Sequence, residues 1–227
     1  MFVGHYGAGL ALKKYKPGIN LGWLFLAVML PDILLGVFVL FGVEKITVPE
    51  NYSALHYLTF DFPYSHGLLA SLLWALFAFL FVRLLKIGKA DNKMIAWLMA
   101  LAVFSHFLLD VLVHIPEMPL LGNSSVHLGL GLWKNLPLSL GLEVLVALAG
   151  LGLYLAATPK PSARQKFGVP ALVFLMICFT VGGQLFSPAP ENTVGPAVSW
   201  IMSGVLIALV AGVLDRKTLN PGSDRFK

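Results

Sequence analysis

The sequence predicts an all-α protein: a polytopic membrane helix bundle with about six transmembrane helices and a short N-terminal helix dipping into the bilayer. Three observations carry that reading. Of 227 residues, 58% are hydrophobic and only 12% charged, with a mean hydropathy of +0.82. A soluble domain ordinarily carries about a quarter charged residues, so the remaining apolar surface needs lipid around it. Apolar runs of about 20 residues recur, the length a helix needs to cross a bilayer. Finally, the basic residues fall almost wholly in alternate connections.

Residues 1–14 are apolar but too short to span, and Lys14-Tyr15-Lys16-Pro17-Gly18 reads as a turn. A short helix entering from the inner face and resting on the first span is expected. The spans are placed at 21–43, 65–87, 93–116, 135–157, 167–187 and 194–214. Each must be helical, because an unpaired backbone group in lipid is costly. Pro170, Pro188 and Pro196 sit near segment ends. Pro31 sits inside the first span, where its missing N–H predicts a kink.

Lys13, Lys14 and Lys16 precede span one; Arg83, Lys86, Lys89 and Lys93 lie between two and three. Lys160, Arg164 and Lys166 lie between four and five, and Arg216, Lys217, Arg225 and Lys227 follow six. Only Lys45 and Lys134 occupy the other connections. Both termini are therefore expected in the cytoplasm. The formal net charge of +5 reports this topology and not a nucleic-acid partner. The N-terminus lacks the basic region and cleavage site of a removable signal peptide, compatible with a prokaryotic plasma membrane. Cys178 is the only cysteine and excludes an intramolecular disulfide. No phosphate-binding glycine loop or repeat is visible, so the chain reads as one membrane domain, 1–227. Its candidate site lies in 1–116, with supporting helices in 117–227.

Chemistry is expected from polar residues inside the apolar runs. These are Asp32 in span one, His66 opening span two, His106 and Asp110 in span three, Glu143 in span four, and His5 in the dipping helix. An ionised carboxylate near the bilayer centre costs about 2.5–3.5 kcal/mol, so three unpaired ones would cost about 8–10 kcal/mol. No Lys or Arg lies mid-segment, which leaves a bound cation, imidazolium partners or protonation of the acids. Spacing favours the cation. His106 and Asp110 are i and i+4 on one helix face, and His114 continues that face one turn on. Counted from the basic ends, these groups reach compatible depths, and imidazole with carboxylate is ligand chemistry for zinc and other first-row divalent ions. Glu143 and His114 are the candidate general bases or supports for a ligand. His56 and His127 fall in outer loops and read as solvated.

An early His5, the pair Pro31-Asp32, Ser65-His66-Gly67 opening a helix, and His106-x-x-x-Asp110 resemble the YdjM-like family of inner-membrane metal-dependent hydrolases. The resemblance covers about the first half of the chain. The order of these residues is also similar to the zinc-dependent phospholipase C and fungal single-strand nuclease superfamily. That likeness implies one metal held by Asp32, His66, His106 and Asp110, with His5 joining a second and Asp110 bridging. The superfamily's later His-x-x-x-Glu is absent, since Ser139 stands four residues before Glu143; one or two ions, zinc first, are therefore expected. The implied activity is hydrolysis of a phosphodiester or other ester in a membrane lipid or lipid-linked substrate. The rival readings are a metal-ion or proton transporter or channel using the same cluster, and a non-catalytic protein whose polar groups only fix helix packing.

Overall fold

The chain is described by a computed structural model over residues 1–87, 92–123 and 126–216. Lys89, Lys217, Arg225 and Lys227 of the predicted inner charge clusters lie outside these residues. Nine α-helices account for most of the described chain: α1 (Val3–Leu12), α2 (Leu21–Val28), α3 (Leu30–Leu40), α4 (Tyr52–Leu55), α5 (Leu68–Leu84), α6 (Asn92–Val113), α7 (Leu136–Ala156), α8 (Val169–Phe186) and α9 (Val194–Leu214). Four helical stretches are long and apolar enough to cross a membrane: α6, α7, α9, and α8 with the π-helical turn Arg164–Gly168 before it. α2 and α3 together make a fifth, bent by 49° at Met29, whereas α5 is apolar but only 17 residues long. Exposed Leu72, Leu73, Leu76, Phe77 and Leu80 on α5, and Phe174, Leu175 and Phe179 on α8, form the kind of apolar surface that lipid covers.

The bend falls where the sequence places it. Pro31 stands in the first turn of α3, where its missing N–H costs nothing, so the helix restarts instead of continuing. Asn20 caps α2 by accepting the Gly22 N–H at 2.9 Å. The connections expected as outer loops carry small antiparallel pairings. β1 (Lys45–Thr47) joins β2 (Thr59–Asp61), with α4 between them, and β3 (Met118–Pro119) joins β4 (His127–Leu128).

The N-terminal helix departs from expectation. It touches α2, as anticipated, but its principal partner is α7. Val3, His5, Tyr6 and Leu10 are fully buried, so α1 is a core element of the bundle. The reason is backbone proximity: a Cβ on Gly7 would lie 2.5 Å from the Val146 carbonyl oxygen, and one on Gly150 would overlap the Gly7 carbonyl. Small residues let helix backbones meet where side chains would hold them apart.

Lys13, counted among the basic residues before span one, has a structural role as well. It is buried, its ammonium pairs with Asp215, and it donates to the Ile19 carbonyl at 2.8 Å. Asp215 accepts further from the Tyr154 hydroxyl (2.9 Å), the Leu21 N–H (2.8 Å) and the Gln165 amide (3.1 Å). This knot ties the end of α1 to α7 and α9 on one side of the bundle.

The contact between α1 and α7 can be tested by one pair of variants. Gly150→Leu must push the two backbones apart and should lower the thermal midpoint in detergent, at the overpacking cost of about 1–3 kcal/mol or more. Gly152→Leu, where an added Cβ meets nothing within 4 Å, should leave the midpoint nearly unchanged.

Candidate metal centre

The five residues expected to hold metal come from four segments and meet in one buried cluster. α6 supplies His106 and Asp110 on one face. Asp32 comes from the first turn of α3, where the positive end of the helix favours a carboxylate. His66 precedes α5 in the turn Ser65-His66-Gly67, and His5 projects from α1. His5, His66, His106 and Asp110 are at most 2% exposed.

Four of their atoms form a compact group. His66 Nε2 and His106 Nε2 are 3.1 Å apart. Asp32 Oδ1 lies 3.3 Å from His66 Nε2 and 3.5 Å from His106 Nε2. Asp110 Oδ2 lies 3.6 Å and 3.0 Å from the same two nitrogens. The other oxygen of Asp110 faces a second group, with His5 Nε2 at 3.1 Å, the Met1 amine at 2.7 Å and His114 Nε2 at 3.9 Å. The His5 ring stacks on His106 with centroids 3.7 Å apart.

The far side of each imidazole fixes what its near side presents. His106 Nδ1 is 2.6 Å from the Val28 carbonyl oxygen, which can only accept, so Nδ1 carries the proton and Nε2 turns a lone pair inward. Val28 ends α2, and the carbonyls of a last helical turn lack helical partners. The break at Met29 thus serves the cluster twice, freeing this acceptor and starting the helix that carries Asp32. His66 is fixed through an intermediary. The Ser65 hydroxyl donates to Glu44 Oε2 at 2.7 Å and so accepts from His66 Nδ1–H at 2.8 Å. Glu44 is buried and takes the Tyr64 and Ser65 N–H groups on its other oxygen, at 2.8 and 2.9 Å. Two imidazole lone pairs and two carboxylate oxygens therefore converge with no donor among them. Of these, His66, His106 and Asp110 could together hold a metal ion, as could His5 with Asp32 and His106. His5 is fully buried; its Nδ1 has no hydrogen-bond partner and its Nε2 has only the Asp110 oxygen beside it, so on chemical grounds this ring suits a ligand.

The two candidate supporting residues lie beside the cluster. His114 Nδ1 is 2.7 Å from Glu117 Oε1, the carboxylate–imidazole pairing often found behind a ligating histidine. Glu143 Oε2 accepts the N–H groups of Phe2 and Gly4 at 2.8 and 3.3 Å, so it caps the start of α1 from α7. Asp32, His66, Asp110, His114 and Glu143 all border one cavity of about 330 Å³, whose other walls include Tyr52, Phe179, Gln184 and Trp200. His56 borders it as well and is half-buried, whereas His127 is exposed as expected. Sequence reasoning missed Glu44, Ser65 and Glu117 as partners of the histidines, although Ser65 stood inside a quoted motif. The acids lie just outside the apolar runs, where a carboxylate reads as solvated. Comparison with protein-family models, curated proteins and solved structures returns no match for this chain.

Two predictions follow from these partners. Ser65→Ala and Glu44→Ala each free the His66 ring to rotate, and should weaken divalent-metal binding about 10–100-fold with helicity retained. Titration against a chelator, with circular dichroism alongside, measures both. The second concerns Glu117, outside the apolar span, whose carboxyl burial pushes up to about 8, with the Phe60 N–H opposing and the Asp110 charge adding. Folding then takes up a proton, so this group's contribution to stability is full below its unfolded value and is lost as pH rises towards 8. The thermal midpoint should fall between pH 5 and 8, and Glu117→Gln should flatten that slope.

Proposed function

We propose that this protein is a membrane-embedded, metal-dependent hydrolase acting on a phosphodiester or other ester of a lipid or lipid-linked substrate. The carrying observation is the group His66 Nε2, His106 Nε2, Asp32 Oδ1 and Asp110 Oδ2, whose five measured separations run from 3.0 to 3.6 Å. Tetrahedral zinc with bonds of about 2.0–2.2 Å requires ligand atoms about 3.3–3.6 Å apart. The triad His66 Nε2, His106 Nε2 and Asp110 Oδ2 comes close to that spacing, and Asp32 Oδ1 lies within 3.5 Å of both of its nitrogens. Asp110 Oδ1 and His5 Nε2 offer the start of a second position beside it, consistent with one or two ions. Bound there, a divalent ion supplies Lewis acidity, acidifying a water and offsetting negative charge on a phosphoryl or carbonyl oxygen.

The chain's own residues supply the rest. His114, on the cavity wall and backed by Glu117, is placed to take or return a proton. Glu143 holds the start of α1, and with it His5, against α7, and its place on the same wall also suits a general base. The cavity of about 330 Å³ is of the size that accommodates a small ligand or a lipid headgroup. Phe179 and Trp200 on its walls suit apolar parts of a substrate, and Gln184 a polar one. We read the six apolar segments as six spans, the short α5 included, with both termini in the cytoplasm of a prokaryotic cell. The motifs keep their resemblance to the YdjM-like family, and this function agrees with it.

A second reading has one observation in its favour. Broken helices whose ends point at a buried ion site are the usual architecture of secondary transporters, and the cluster sits at the break between α2 and α3. One experiment separates the two. Purified protein is assayed on phosphodiester and carboxylic-ester lipids, with and without chelator, and in parallel for metal flux in proteoliposomes. Lipid hydrolysis that disappears with chelator, and falls more than about a hundredfold in His106→Ala, is expected. Hydrolysis indifferent to both treatments, or flux without hydrolysis, would overturn the enzymatic reading.

A further inference from the structure

A second cavity, of about 340 Å³, shares no wall residue with the first. It is a lateral crevice between α2, α5 and α6, walled by apolar side chains that include Trp23, Leu30, Phe77, Phe81, Ile95 and Met99. Its lining runs from Gly18, Asn20 and Ile87 at one end to Leu30 and Val103 at the other. From Asn20 to Leu30 a helix rises about 15 Å, roughly half of the 30 Å hydrocarbon thickness. The crevice is thus one leaflet deep.

The end at Gly18, Asn20 and Ile87 is basic. Lys16 precedes Gly18 by two residues and Lys86 adjoins Ile87; Lys14, Arg83 and Lys93 stand at the same ends of α2, α5 and α6. Lys14, Arg83, Lys86 and Lys93 are exposed, although Arg83 also donates to Asn92 Oδ1 at 2.7 Å. An apolar slot one acyl chain long, ending under a ring of cations, has the charge and shape of an anionic phospholipid. We infer that the crevice seats an acyl chain of an anionic phospholipid from the leaflet on the basic side, with its phosphate at Lys16 and Lys86. The inference is independent of the hydrolytic reading, because neither the metal cluster nor its cavity contributes a wall.

The test uses the full chain purified in detergent, with dioleoyl phosphatidylglycerol or dioleoyl phosphatidylcholine added, read by native mass spectrometry and by the thermal midpoint. The wild-type protein should retain the anionic lipid in preference and gain more thermal stability from it. Lys16→Glu, half-buried at the rim, and Lys86→Glu, exposed there, should each cut that preference roughly fivefold, the weight of one basic residue at a membrane surface. Ile95→Trp, which fills the slot, should reduce retention of both lipids. If Ile95→Trp fails to fold, the two lysine variants decide the matter alone. Equal retention of the two lipids by wild type, or a preference unchanged in both lysine variants, would overturn the proposal.

Discussion

The bundle is organised around the Asp110 carboxylate. A carboxylate withdrawn from water loses several kcal/mol of hydration, and its ionised form survives only where positive charge or donors replace that water. One oxygen of Asp110 is met in this way by the amine at Met1, with His5 and His114 beside it, whereas the other faces the lone pairs of His66 and His106, the side that a cation would complete. These partners come from three separate parts of the chain. The acid in α6 is therefore satisfied only when α1 and the turn before α5 are in place, and the electrostatic demand of one residue becomes a constraint on the tertiary arrangement.

The helix α1 shows how the constraint is met. It is ten residues long, too short to be stable alone in water, and its stability must come from what surrounds it. Its start is capped by Glu143 from α7, at the end where the helix dipole favours negative charge. Lys13, just past its end, is held by Asp215 beyond α9. Between those two anchors Gly7 and Gly150 let the backbones touch. His5 lies on the same helix, so two carboxylates that ligate nothing themselves determine where that imidazole points.

Much of this arrangement was legible in the sequence, and the boundary of legibility has a physical cause. Apolar length identified the helical segments because lipid imposes it. Pro31 marked the break because a missing N–H has the same consequence in any helix. His5, Asp32, His66, His106 and Asp110 stood out because a polar group in an apolar run must be compensated, and the structure brings all five together. Glu44, Glu117 and Asp215 did not stand out, since an acid beyond a helix end is ordinarily solvated and only the fold buries Glu44 and Asp215 and half-buries Glu117. Lys13 was read as a topological charge for the same reason. The partnership of α1 with α7 depends on two glycines that have no side chain to signal it. α5 shows the limit of counting hydropathy: His66 and Gly67 precede its first helical turn, so the helix is shorter than the apolar run.

The two cavities bear differently on what the molecule does with a cation. A conduction site must release its ion, so it benefits from weak or exchangeable ligands and needs little more room than the ion and its waters. Here Val28, Ser65 and Glu44 orient two of the imidazoles from behind, and such support makes ligands hold more tightly. The adjoining cavity is also far larger than an ion needs, and its walls carry aromatic, aliphatic and polar side chains. Rigid ligands beside a roomy, chemically mixed chamber suit a resident metal and a molecular substrate better than a travelling ion. That contrast, more than the identity of any one histidine, is why we favour hydrolysis over transport.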